Sequence, residues 1–285
     1  DWRLKLCDQE ESKWNQDDRF YWRTMNHRRT VPMDAWDKLT ESHRQGKDEE
    51  TDALAALLVE CWPNFAPGFN YRGLVAMRRN DFLGALRFFD DAIRIGRTLF
   101  PKRIPKDHWW RDNATRPYIQ GLLYKADALN RLEDYDVALS ICDRVETECH
   151  RPVDAMCARV PVFLNTERWQ EAANAARYLH EIFPEQNVPL AFAYFEMGDR
   201  VEALVHFVRG AVCFPLAAMM VVGGTTVDPG DYDTARDHNT GVGLLRDLDA
   251  YLRAATIEFD GFFMDIVEST AFQQALAEVE EARAR

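Results

Sequence analysis

LEDYDVALSICDRV, residues 132 to 145, sets a polar turn against a run in which Ala138, Cys142 and Val145 recur at spacings of four and three. That spacing puts the three on one face of a helix. The same grammar returns in RNDFLGALRFFDDAI (79 to 93), TERWQEAANAARYL (166 to 179) and MGDRVEALVHFVRGAV (197 to 212). Aligned, the four stretches bring Ala85, Ala138, Ala172 and Ala203 into register, with intervals of 53, 34 and 31 residues. Paired helices approach closely only where Gly or Ala faces the partner, while Phe, Tyr and Leu fill the space between neighbouring pairs. One such pair cannot bury its apolar face alone, so the pattern predicts an all-α array of stacked hairpins.

A unit of 34 residues, with Ala, a bulky apolar residue four later and a terminal Pro, resembles the tetratricopeptide repeat (TPR). The resemblance runs over residues 66 to 216. Its first unit has Gly73, the turn Asn80-Asp81, Phe82, Ala85, Phe89 and Ala92; its second has Ala126, Glu133, Asp134, Tyr135, Ala138, Cys142 and Val145. The third has Trp169, Ala172, Ala176, Leu179 and Pro184, with Pro161 inside its first helix, where a kink is expected. The fourth has Ala191, Gly198, Asp199, Ala203, Phe207 and Pro215. The stretch TRPYIQGLLYKADALNRLEDYDVAL, residues 115 to 139, is in addition similar to a repeat entry in the suppressor-of-tumorigenicity group of TPR proteins and its bacterial relatives. The resemblance implies a right-handed superhelix of helix-turn-helix units with capping helices at the C-terminus, and a non-catalytic, partner-binding role.

The expected organisation is an N-terminal extension over 1 to 33, helical repeats over 34 to 222, a Gly- and Asp-rich loop over 223 to 243, and capping helices over 244 to 285. MDAWDKLTESHRQGK and TDALAALLVECWPNFAP read as the two helices of a further, upstream hairpin. The first 30 residues, with Trp2, Trp14, Phe20, Tyr21 and Trp22 among charges, lack periodicity; they are an extension packed on the array or an arm that orders on a partner. GLLRDLDAYLRAATIEF and QQALAEVEEARAR give the two capping helices.

Between Ala85 and Ala138 lie one repeat and 19 further residues, which places an insertion at 97 to 116. Over 97 to 111 it carries Arg97, Lys102, Arg103, Lys106 and Arg111 against one acid, Asp107, with Trp109 and Trp110 among them, in a chain of net charge -12. Arg beside Trp is the composition of interface anchors. Basic residues next to aromatics can also track a single nucleic-acid strand. Two adjacent side chains outside a helix do not face the same way, so one Trp is expected to anchor the loop and the other to meet a partner.

Catalytic grammar is missing: the sequence has no GxxxxGK[ST], GxSxG, HExxH or CxxC. Cys142, Cys149, His150 and Cys157 stand seven and eight residues apart at their cysteines, the spacing of no common zinc module. Asp228, Asp231, Asp233, Asp237 and His238 are the residues that could hold a cation, but acids beside Gly and Pro are more often turn and cap residues. Neither metal nor cofactor is expected. At the places where chaperone-tail clamps carry Lys, Asn and Arg stand Asn70, Leu74, Tyr124, Asp154 and Ala158, so that clamp is missing.

The six cysteines read as reduced and buried, which favours an intracellular setting, cytoplasm or organelle matrix. No apolar run is long enough to span a membrane. The sequence opens on Asp1, consistent with a removed start, transit segment or tag. The expected function is a protein-protein interaction scaffold or adaptor, a subunit of a larger assembly. An RNA-associated subunit using 97 to 111 is the alternative. Partner-contacting candidates are the exposed first-helix residues Asn70, Met77, Gln120, Asp127, Asn130, Arg131, Asn165, Phe192 and Phe195, together with Lys102, Arg103, Lys106, Trp109, Trp110 and Arg111 of the insertion.

Overall fold

The hairpin turns state the repeat most sharply. In a computed structural model, which describes residues 33–100, 102–110, 115–223 and 232–284, five residues stand at positive φ in the same turn: Gly46, Asn80, Glu133, Glu167 and Gly198. At each, the helix before it closes with the same two backbone bonds. At Asn80, for example, Asp81 N–H reaches Ala76 C=O and Asn80 N–H reaches Met77 C=O; at Glu133, Asp134 reaches Leu129 and Glu133 reaches Asn130. This is the Schellman closure, in which a left-handed residue lets the last carbonyls of a helix find donors. Gly46 and Asn80 are 34 residues apart, as are Glu133 and Glu167. The upstream hairpin is therefore in register with the others.

Fifteen α-helices and no strand occur among the described residues. They fall into two compact units, residues 1–155 and 156–285, with the division inside one helix. The first unit holds α1 (Met33–Arg44), α2 (Asp48–Cys61), α3 (Ala66–Arg78), α4 (Phe82–Thr98), α5 (Arg116–Arg131) and α6 (Tyr135–Thr147), and the start of α7 (Pro152–Asn165). Within α1 to α6 each helix packs on the one that follows it, and α3 also meets α5, so the first helices of those two hairpins lie side by side. Ala85 and Ala138 are fully buried at the register position. There the upstream hairpin carries Thr51, equally buried, whose hydroxyl donates to Lys47 C=O and bonds the Ser42 hydroxyl. A satisfied threonine substitutes for alanine because both of its polar bonds are made inside the hairpin. Phe89 is buried against Gly73, where any Cβ would run into the ring.

The second unit continues with α8 (Trp169–Leu179), α9 (Asn187–Glu196), α10 (Arg200–Cys213), α11 (Pro215–Gly223), α12 (Tyr232–Asp247), α13 (Asp249–Ala254), α14 (Ile257–Glu268) and α15 (Thr270–Ala284). Ala172 and Ala203 are fully buried, matching their counterparts in the first unit. Helix α7 continues through Pro161, giving up one helical hydrogen bond.

The C-terminal part departs from the sequence reading. The loop expected over 223 to 243 is helical from Tyr232 onward. Gly241, inside that expected loop, lets α12 close on α11: a Cβ there would stand 2.9 Å from Ala217 Cα. Asp237, considered as a cation ligand, accepts from Leu216 N–H (2.9 Å) and Ala217 N–H (2.8 Å), and so caps the start of α11. A buried carboxylate on two orphan helix donors is a structural cap. The single helix expected over 243 to 259 breaks at Leu248 and again at Thr256, whose hydroxyl accepts from Phe259 N–H to start α14. The extension before residue 33, and Asp228, Asp231 and Arg111, lie outside the described residues.

Candidate functional site

In the first unit the side-by-side helices α1, α3 and α5 leave a groove of about 290 Å³. Helix α1 contributes Trp36, Thr40 and His43, one stripe at spacings of four and three. Helix α3 supplies Pro67, Asn70, Tyr71 and Leu74, and α5 supplies Arg116, Pro117, Gln120 and Tyr124. Each set is the face its helix turns away from its own hairpin partner, so the groove is a direct product of the stacking.

Polar groups in the groove are mostly tied down. Thr40 and Tyr71 share a hydroxyl bond of 3.1 Å. His43 sits edge-on to Tyr71 and takes a hydrogen bond on Nδ1 from Arg78, which is itself paired with Asp48. Arginine can only donate, so His43 Nδ1 must accept. Burial, and then the Arg78 charge, hold its pKa down at about 4, with Asp48 acting the other way. His43 is therefore neutral near pH 7. Tyr124 is pushed up to about 12, chiefly by burial, then by Tyr71 and Asp127.

Two groups stand apart. Asn70 is only 4% exposed, and its Nδ2 donates to Pro117 C=O at 2.8 Å. A carbonyl can only accept, so the orientation of this amide is fixed, and Oδ1 is left buried without a partner among the described residues. Such an acceptor costs about 1–3 kcal/mol until something donates to it. Arg116 donates to Trp110 C=O through Nε and Nη2 and lies 5.6 Å from the Trp110 ring, but no carboxylate among the described residues pairs with it.

The insertion meets the groove at Arg116. Trp109, 4% exposed, packs on Phe100 at 5.4 Å and Tyr118 at 6.2 Å, with its carbonyl accepting from the Thr115 hydroxyl. Trp110 is half-buried between the guanidinium groups of Arg116 and Arg151, the latter 5.0 Å from its ring. Lys102, Arg103 and Lys106 are exposed and have no ion pair among the described residues. Arg97 lies 3.9 Å from Glu148, which also accepts from the Tyr118 hydroxyl.

The remaining candidates are arranged differently from the expected exposed face. Met77 is buried against Ala85, Phe89 and Ala128, and Asn130 is buried at the end of α5. Asp127 and Arg131 pair with each other at 3.1 Å. In the second unit, Phe192 and Phe195 are covered by the chain's own α14, with Phe259 4.9 Å from Phe192 and 5.3 Å from Phe195. Asn165 donates to Asp247 C=O and accepts from Tyr251 N–H, each at 3.0 Å. These three residues bind chain, but it is their own. Only Asn70 and Gln120 among the expected first-helix residues line the groove. Trp36, His43, Tyr71, Arg116 and Tyr124 were missed, although spacings of three and four along each first helix mark the same face.

Among the described residues no three His, Cys, Asp or Glu side chains gather as a metal set, and no helix is long and apolar enough to cross a membrane. No family model matches the sequence, and no curated protein matches it. A solved structure described as "MamA RS-1 ArsTM double mutant" is similar over 62% of this chain and 91% of that one, at 16% identity and a TM-score of 0.46. A likeness at that level carries no argument; the repeat rests on the registered turns and buried alanines.

Proposed function

We propose that this chain is a non-catalytic interaction scaffold, and that the groove between α1, α3 and α5 receives a segment of a protein partner. The observation that carries the reading is the Asn70 Oδ1, a buried acceptor whose orientation is fixed and which lines an aromatic groove without a donor. A polypeptide backbone offers an N–H at nearly every residue, and aromatic walls suit its side chains. Affinity capture from cell extract, with nuclease present, tests this. A partner retained by the wild-type chain and lost with Leu74→Arg, which fills the groove from a half-buried position, is the expected result. Equal retention by both would remove the groove from the account.

A second reading, RNA contact through the insertion, is supported by Lys102, Arg103 and Lys106, three cations with no ion pair among the described residues, beside half-buried Trp110. Counterion release would then make binding fall steeply with salt. Partners that all disappear on nuclease treatment would favour it.

A further inference from the structure

The second unit shows what kind of segment this scaffold accepts on a first-helix face. There the chain's own residues 247 to 263 cover α9 and the end of α7. They give a backbone N–H to an asparagine, Tyr251 to Asn165 at 3.0 Å. They lay aromatic rings on the helix face, Phe259 against Phe192 and Phe195. They also bring a carboxylate to an arginine that lies on an aromatic ring: Glu258 pairs with Arg200, whose guanidinium sits 3.5 Å from the Phe195 ring centre.

The first unit carries the receiving half of this arrangement. Asn70 Oδ1 has no donor among the described residues. Trp36, Tyr71 and Tyr124 line the space. Arg116 lies 5.6 Å from the Trp110 ring and pairs with no carboxylate among the described residues. The two asparagines are not at equivalent repeat positions, so the parallel is one of chemistry.

We propose that the groove of the first unit takes a partner segment bearing an aromatic residue and, beside it, a carboxylate that pairs with Arg116, while a backbone N–H of that segment donates to Asn70. This rests on the groove being the protein-binding site argued above and adds the partner's chemistry. The volume, about 290 Å³, is at the lower edge of ordinary ligand sites, roughly 300 Å³ upward. It has room for one large side chain and its flanking backbone. A nucleic-acid strand fits less well: the groove offers it one unpaired cation, the chain is acidic at net charge -12, and the orphan group is an acceptor.

Selection of a random twelve-residue peptide library displayed on phage, with the full chain as bait, tests the inference. The expected result is enrichment of peptides with an aromatic residue near an Asp or Glu. Their synthetic forms should bind about tenfold more weakly to Arg116→Gln, the loss of one charge-assisted pair. Selection on Arg116→Glu should replace the acid by Lys or Arg. Circular dichroism and melting of both variants check that the fold is kept, since Arg116 also holds the Trp110 carbonyl. Groove-binding peptides without an acid, or with an acid indifferent to Arg116, overturn this inference and leave the proposed function standing. Peptides that bind Leu74→Arg as well as wild type, or a failure to select any binder, overturn both. Arg116-dependent binding of a twelve-nucleotide oligouridine with no peptide selected would replace the partner class by RNA.

Discussion

Two tryptophans side by side in sequence take different physical roles. Trp109 is buried among Phe100 and Tyr118, so Trp109→Ala is expected to cost about 3–5 kcal/mol of stability. Trp110 lies half-buried between two guanidinium groups, so Trp110→Ala should cost about 1 kcal/mol or less. Denaturant midpoints of the two single variants measure the difference; equal losses would mean that both rings are core. The split was legible in the sequence as a rule about adjacent side chains, but which ring goes inward is set by Phe100 and Tyr118, across the insertion. Glu167 is a second test at this scale. It is exposed at φ 58, where Gly198 stands in the next turn at φ 82. A left-handed conformation strains any residue with a Cβ, so Glu167→Gly should raise stability by about 0.5–1 kcal/mol. Glycine inside a helix does the opposite, so a loss would show that the turn is not left-handed.

At the scale of elements, helices whose apolar stripe meets a neighbour in the next repeat were readable, and a helix placed by close packing and a polar cap on another helix was not. The alanines at 85, 138, 172 and 203 announce α4, α6, α8 and α10 because a close helix approach leaves a small residue wherever it occurs. Helix α12 leaves no such mark. Its Gly241 looks like a breaker until Ala217 is found against it, and Asp237 looks like a loop acid until the start of α11 is found on it. Asp237→Ala is therefore expected to destabilise the second unit by about 0.5–2 kcal/mol, the loss of a helix cap. Thermal melting with and without millimolar calcium or magnesium distinguishes cap from ligand. A wild-type melting temperature that rises with either cation, and no longer does so in the variant, would restore the ion-binding reading. The groove was half legible for a similar reason. Asn70, Gln120 and Arg116 share the helix spacing that marks the groove, whereas the Trp110 ring beside Arg116 comes from the insertion, which helix spacing does not place.

For the chain as a whole, acid should act through two imidazoles, half-buried His43 and buried His206. His43 is held at about 4 by burial and then by Arg78, and His206 at about 4 by burial, then by His180, Arg209 and Arg177. Both lie below the ordinary 6.5, so between those values the unfolded chain binds more protons than the folded one. Stability should therefore fall as pH drops from about 6.5 toward about 4 and be restored as it rises again. Melting temperatures across pH 5 to 7 should slope less steeply in His43→Gln and in His206→Gln than in the wild type; unchanged slopes would assign the acid sensitivity to other groups. The central claim is that the first unit's groove is where another protein is held. A photo-crosslinking residue placed at Gln120, which lines that groove, tests it inside cells. The expected result is an adduct to one discrete protein that resists nuclease and disappears when Leu74→Arg is added. Adducts only within the chain itself, only to nucleic acid, or unaffected by Leu74→Arg would contradict it.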